Sequence, residues 1–417
     1  MGIGPAFWQA MEQAGLCRGM LSLLRAEGIA KTAGSFCYNC PDNEPPMQTQ
    51  PAATLQTQLT IYLKDGFLYE APGGWQSGPA AGTLLIENRQ LRLQDWKIRD
   101  VSLGEEWVEK LTPRWKAIAA FKPSLKADVT VDLLEWNPDL LGPPQKLEGR
   151  VEIHQGGSEH LSVSGARGVL EGKLAWPATQ GLPAGSGRFS LDSLEVMGRS
   201  LSLLEGNWTA DPNSGVVNIR DIRGSCGGGR VLANLLLTMS EPFLQYEAEA
   251  MFEEIPIAWL LASEAHGRLR GAVDMRGKVG SPDDREGHIM VEAEEMKIGR
   301  ETLIGKLLMM MQLRQADDVL FTDLFVEANL KGQLVQCERV LLAGKNDVYQ
   351  GQGHLNLGNG KIQMALTAFG RRKGEKATLL TGLAENLGAA LARVEISGTL
   401  SQPVITQIPL PLLPRPF

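Results

Sequence analysis

The chain has 417 residues, is 43% hydrophobic and carries a formal net charge of -7, with both signs interspersed and no lysine- or arginine-rich block. That composition can fill a substantial core, in two or three compact domains or one long all-β body. It lacks the basic stripe of a nucleic-acid binder and the basic cluster that adheres to anionic headgroups.

Residues 1–50 hold Phe7-Trp8-Gln9-Ala10-Met11, compatible with a short helix or strand, and then a loop with Pro41, Pro45, Pro46 and Pro51. Met1 to Arg25 is interrupted by Glu12 and lacks a basic region ahead of an apolar core, so it does not read as a signal peptide. No apolar run reaches the ~18 residues of a membrane-spanning helix. The chain reads either as one without a targeting segment or as one that begins inside a longer gene product.

From residue 55 onward the dominant signal is alternation with period two. Leu125-Lys126-Ala127-Asp128-Val129-Thr130-Val131-Asp132-Leu133 is apolar at every odd position, which gives a strand one dry and one wet face. The pattern recurs at Leu269/Val273/Met275, Ile289/Val291/Ala293 and Ile362/Met364/Leu366/Ala368. Turn signals separate the runs: Gly156-Gly157, Asp211 to Gly215, Gly227 to Gly229 and Gly358-Asn359-Gly360. The last predicts a hairpin joining His354–Leu357 to Lys361–Met364. About 18 candidate strands, mostly hairpin-connected, would extend roughly 85 Å side by side.

Four segments carry helical spacing instead: Val101 to Phe121; Ile257, Leu260 and Leu261; a stripe of Leu303, Ile304, Leu307, Leu308 and Met311; and residues 376–391 with Leu379, Leu380, Leu383 and Leu387. Each lies between strands and is short and not basic, which suits a cap or plug on a β structure better than a membrane-surface helix. The expected fold class is mainly β: an elongated, curved antiparallel sheet, groove-like or open-barrel-like, with a few short capping or plugging helices. Its divisions are 1–50, a β-rich body over 51–224, and 225–417.

Cys17, Cys37, Cys40, Cys226 and Cys337 are odd in number and scattered. The one CxxC precedes a Pro-rich loop and has no second pair, so these cysteines read as incidental or as one small local disulfide. His154, His160, His266, His288 and His354 show no paired spacing and read as surface residues. Asp283-Asp284, Glu294-Glu295 and Asp317-Asp318 are not tied to one cleft. Gly165 to Gly168 and Gly224 to Gly227 lack the strand-to-helix context of a phosphate loop. The sequence therefore offers no catalytic, cofactor or metal residue, and no enzyme is expected.

The order of elements in residues 225–417 is more specific. Ile255-Pro256-Ile257-Ala258-Trp259-Leu260-Leu261 precedes Gly267-Arg268-Leu269-Arg270-Gly271 and Met275-Arg276-Gly277. An amphipathic segment at 299–312 leads into Val319 to Leu324, then Tyr349 to Leu357 and its hairpin partner Ile362 to Ala368. A helix near 380–390 then precedes the close, Val394 to Pro403, with Gly398-Thr399-Leu400 and a proline. This order resembles the C-terminal region of the AsmA-like family of bacterial envelope proteins, related to bridge-like lipid transfer proteins. The resemblance implies a non-enzymatic, periplasmic, inner-membrane-associated protein whose apolar β-groove binds or conducts phospholipid or another envelope lipid between the two membranes. Family members usually carry an N-terminal membrane anchor; here attachment would fall to a missing anchor or a partner. The lipid-groove candidates are then Val129, Val131, Leu133, Val273, Met275, Ile289, Val291, Ile362, Met364 and Leu366, with Leu303, Ile304, Leu307, Leu308 and Met311 as the apolar face of a capping helix. The alternative is a structural or assembly factor for outer-membrane biogenesis, its interior filled, acting by protein contacts.

Overall fold

The computed structural model describes residues 2–3, 25–38, 55–69, 75–87, 90–103, 123–136, 145–158, 162–176, 183–211, 213–240, 243–261, 266–298, 319–344, 347–371, 387–399 and 402–409. They are almost wholly extended, and the fold class is mainly β with antiparallel pairing, as the period-two pattern implies. The strands are β1 (Gly2–Ile3), β2 (Arg25–Tyr38), β3 (Leu55–Tyr69), β4 (Trp75–Glu87), β5 (Gln90–Leu103), β6 (Pro123–Trp136), β7 (Lys146–Ser158), β8 (Val163–Ala175), β9 (Ala184–Val196), β10 (Arg199–Asp211), β11 (Val216–Cys226), β12 (Gly229–Ser240), β13 (Phe243–Pro256), β14 (His266–Lys278), β15 (Glu286–Ile298), β16 (Val319–Lys331), β17 (Leu334–Gly344), β18 (Asp347–Asn356), β19 (Ile362–Arg371), β20 (Leu387–Gly398) and β21 (Pro403–Pro409).

The chain forms two compact units. The first comprises Met1–Gly198, Ser202–Arg220 and Thr238–Leu244; the second comprises Arg199–Leu201, Asp221–Leu237 and Gln245–Phe417. In the first, β1 to β9 pair antiparallel, each with the next in the chain. In the second, β13 to β21 do the same. The expected hairpin at Gly358-Asn359-Gly360 is present: Leu355 lies opposite Ile362, and the Asn356 side chain accepts from the Gly358 and Asn359 amides at 3.0 and 3.1 Å. A short helix, α1 (Ile257–Leu261), stands where Ile257, Leu260 and Leu261 placed one, and a 3-10 turn covers Pro282–Asp284.

Bulges interrupt the ladders. The β5–β6 register shifts between Ile98 and Val101, and the β13–β14 register between Phe252 and Ile255. Each gap contains an acidic residue in the left-handed region, Asp100 (φ 52) and Glu254 (φ 60). Aspartate tolerates that conformation when its local hydrogen bonding is satisfied, and the Asp100 amide donates to Asp128 Oδ1 at 2.9 Å. An inserted residue bends its strand and increases local twist.

Three expectations change. Helical spacing from Val101 fails at its start: Val101–Leu103 complete β5, with Val101 buried opposite Ala127, while 104–121 lies outside the described residues. The segment 376–391 is not helical at its end, because Leu387 and Ala390 pair with Arg371 and Phe369 as the start of β20. Leu and Ala favour helix weakly, and a ladder with a neighbouring strand overrides that preference. Leu133 leaves the apolar alternation. The β6–β7 register shifts between Val131 and Leu133, which puts Leu133 in a row with Gln94 and Glu148 and hands its expected place to Leu134. The proposed helix face Leu303, Ile304, Leu307, Leu308 and Met311 lies outside the described residues.

Candidate functional site

Alternation within strands and registry between them combine into rows of side chains running across the strands. In the first unit one row reads Leu84, Leu93, Leu134, Leu147, Leu174 and Gly185. The next reads Trp96, Val131, Gly149, Gly172 and Gly187; a third, Ala80, Ile98, Val129, Val151, Leu170 and Phe189; a fourth, Val101, Ala127, Ile153, Gly168 and Leu191. Every member is apolar or glycine. At about 7 Å per two residues along a strand, four rows make an apolar face about 20 Å wide.

The second unit repeats the arrangement. Its rows run Ala248, Met275, Gly287, Leu330, Val335, Leu355, Ile362; then Ala250, Val273, Ile289, Ala328, Cys337, Gly353, Met364, Ile396; then Phe252, Gly271, Val291, Val326, Val340, Gly351, Leu366, Val394; and finally Ile255, Leu269, Ala293, Leu324, Leu342, Tyr349, Ala368. Nine of the ten groove candidates fall in these rows, and Leu133 does not. Val129 and Val131 sit in the first unit, and the other seven in the second.

Burial is uneven along each face. In the first unit Leu84, Leu93, Trp96, Val101, Ala127 and Val131 are buried, whereas Leu147, Val151, Ile153, Leu170, Phe189 and Leu191 on β7 to β9 are half-buried. In the second, the row beside α1 is tightly packed: Ile255, Leu269, Ala293, Leu342, Tyr349 and Ala368 join Ile257 of the helix in one cluster with Ile362, Leu366, Val394 and Ile396. The middle strands of the neighbouring rows are looser, with Val273, Ile289, Val291, Val326 and Val340 all half-buried.

Glycines make room for an indole ring on the first face. A Cβ on Gly172, Gly185 or Gly187 would meet the Trp208 indole, so that ring lies on a glycine floor. Its Nε1 is enclosed with no hydrogen-bond partner, so packing alone holds the ring. Replacing Gly187 with valine should displace Trp208 and cost about 1–3 kcal/mol; a shifted tryptophan emission with a lowered Tm checks this.

The opposite face is charged. In the first unit Glu171 takes Arg150 and Arg188 at 3.4 and 2.8 Å, and Glu148 takes Lys146 and Lys173 at 3.3 and 3.2 Å. In the second, Arg270 spans Glu292 and Glu294 at 2.7 and 3.2 Å, and Arg276 meets Glu286 at 2.7 Å. Such exposed pairs contribute little each, so burial of the apolar rows carries the fold. One patch of this face is apolar: Phe325, Leu341, Ala343 and Val348 are buried together, with the Arg339 guanidinium 5.6 Å from the Phe325 ring. Their period-two positions are the complement of Leu324, Leu342 and Tyr349, so the sequence reads apolar on both faces there.

The hydrogen bond from Lys173 lowers the Glu148 pKa, and that from Arg276 lowers the Glu286 pKa. A depressed carboxylate stabilises the fold above its unfolded pKa and loses that contribution as pH falls through the folded one. Thermal stability should therefore decline gradually below about pH 4, the ordinary carboxylate range. A Tm that stays level or rises between pH 5 and 3 would contradict the assignment.

Of the histidines, His154 faces Asp128 at 3.3 Å, His288 faces Glu327 at 3.4 Å, and His266 and His354 are exposed; His160 is outside the described residues. Cys226 and Cys337 are free thiols whose pKa values burial raises. Among the described residues no cluster of His, Cys, Asp and Glu could hold a metal ion, and no helix is long and apolar enough to cross a membrane. Chemically, the apolar rows offer area without directional bonds.

No family model, no curated protein and no solved structure matches this chain.

Proposed function

We propose that the apolar face of each unit binds the acyl chains of a lipid, in an AsmA-like protein of the cell envelope that acts without catalysis. The observation that carries this reading is the set of register-continuous rows holding only apolar residues and glycine, half-buried on β7 to β9 and again on the middle strands of the second unit. Apolar side chains left partly open on one side of a sheet gain by taking up another apolar surface. Each acyl CH2 placed there contributes about 0.8 kcal/mol. Because no charged group interrupts the rows, the gain is nearly the same at successive positions, and a chain can slide instead of being held at one point. That is the property a conduit between inner and outer membranes requires. Phospholipid is the expected cargo, with the charged face in water and membrane attachment supplied by a partner or an anchor.

One observation favours a second reading. The cluster around α1 is as dry as a protein core, with Val394 at 0% and Ala293 at 1% exposure. If both faces were filled in this way, the protein would be a structural or assembly factor working through protein contacts. Native mass spectrometry of the chain purified in mild detergent separates the two. The lipid reading expects phospholipid adducts that survive detergent exchange; a lipid-free protein after reconstitution with phospholipid would sink it.

A further inference from the structure

The charged face of the second unit carries a second interruption, on β11 to β15. Leu232, Met251 and Met290 are 44%, 58% and 36% exposed there. Registry sets Met251 opposite Ala272 and Ala272 opposite Met290, so three adjacent strands present one apolar line. Leu232 and Met251 also share the lining of a shallow cleft of about 370 Å³. The cleft begins at Asp221, whose left-handed backbone (φ 55) dents β11 and whose amide donates to Asn234 Oδ1 at 3.2 Å.

Its polar lining is unbalanced. Asp221, Glu249 and Asp274 supply three carboxylates against one guanidinium, Arg223. Nearby on this unit three acids each have a guanidinium partner, Glu286 with Arg276, Glu253 with Arg230 and Glu294 with Arg270. The three carboxylates at the cleft have no ion pair among the described residues. An exposed methionine pair adapts to irregular apolar partners, and the surrounding negative charge selects the sign of what approaches.

We propose that this cleft docks an extended basic segment of a partner protein, an apolar side chain on the Leu232–Met251–Met290 line and lysine or arginine against Glu249 and Asp274. The site lies on the face opposite the apolar rows, so it can hold a partner while those rows are occupied, and it does not depend on what they bind.

The test uses the full chain and a fluorescent heptapeptide of alternating lysine and leucine, read by anisotropy at low salt. The expected result is saturable binding that weakens roughly tenfold in Glu249→Lys/Asp274→Lys and weakens also in Met251→Ser. The charge-reversed variant should gain affinity for the glutamate–leucine counterpart, a readout that unfolding cannot produce. Val291→Ser, on the apolar face, should leave binding unchanged. No binding, equal binding of the two peptides by the native chain, or loss in Val291→Ser but not in the charge reversal would each overturn the proposal.

Discussion

Val394→Asp should unfold the second unit. Val394 is fully enclosed, with Leu366 opposite it on β19 and Ile396 beside it in the same cluster. A carboxylate there is shut away from water among the apolar side chains of that cluster. The substitution discards the burial of an isopropyl group and adds the desolvation of an unpaired polar group, together about 4 kcal/mol or more. Total stabilities of domains are only about 5–15 kcal/mol. Limited proteolysis should then cut within residues 245–409 under conditions where the native chain resists, and the strand signal in circular dichroism should fall. Val394→Ala, which leaves a small void, should cost about 1–3 kcal/mol and keep the sheet. If Val394→Asp melts like the native chain, the second unit is not packed as described.

Leu170→Asp should have the opposite profile: little loss of fold and a large loss of bound lipid. Leu170 lies between Val151 and Phe189 on the half-buried stretch of the first face. Its carboxylate can reach water, so the stability cost should stay near 1–2 kcal/mol. An acyl chain crossing that row would have to desolvate the charge, and lipid would be excluded from it. The comparison is of lipid carried per protein by the native chain and by a Leu170→Asp variant whose melting is close to native. Equal loading in the two would remove the first face from the lipid reading. Val131 and Leu366 are poorer positions for this experiment, because both are buried and a charge at either threatens the fold as well.

These two outcomes differ because burial varies within each unit's apolar face, which the sequence shows as uniform. Alternation in Leu125 to Val131 and in Ile362 to Ala368 is visible to the eye, and so is the Gly358-Asn359-Gly360 turn between the last two strands of that hairpin. The side facing the core was therefore legible strand by strand. What could not be read was where alternation slips. Leu133 looks like the next member of a regular series, but a bulge beside Asp132 moves it to the charged face, and only pairing with β5 and β7 reveals that. Leu387 to Leu391 has helical composition, yet its backbone bonds go to β19, from which residues 372–386 separate it in sequence. Phe325, Leu341 and Val348 sit on the face that alternation assigns to solvent, and Trp208 rests on glycines contributed by β8 and β9. In each case the determining contact lies on another strand. The lipid proposal rests on the apolar rows, since of the order expected in residues 225–417 the segment from Leu387 is strand and 299–312 lies outside the described residues.

The most direct measurement places a photo-reactive amino acid at Leu170 and, separately, at Glu171, then irradiates protein loaded with phospholipid. The two positions are adjacent in the chain and face opposite sides, Leu170 toward Val151 and Phe189, Glu171 toward Arg150 and Arg188. Mass spectrometry should show a lipid adduct from position 170 and none from 171. Adducts from neither position, or from both equally, would contradict the claim that the apolar face is the lipid-binding surface.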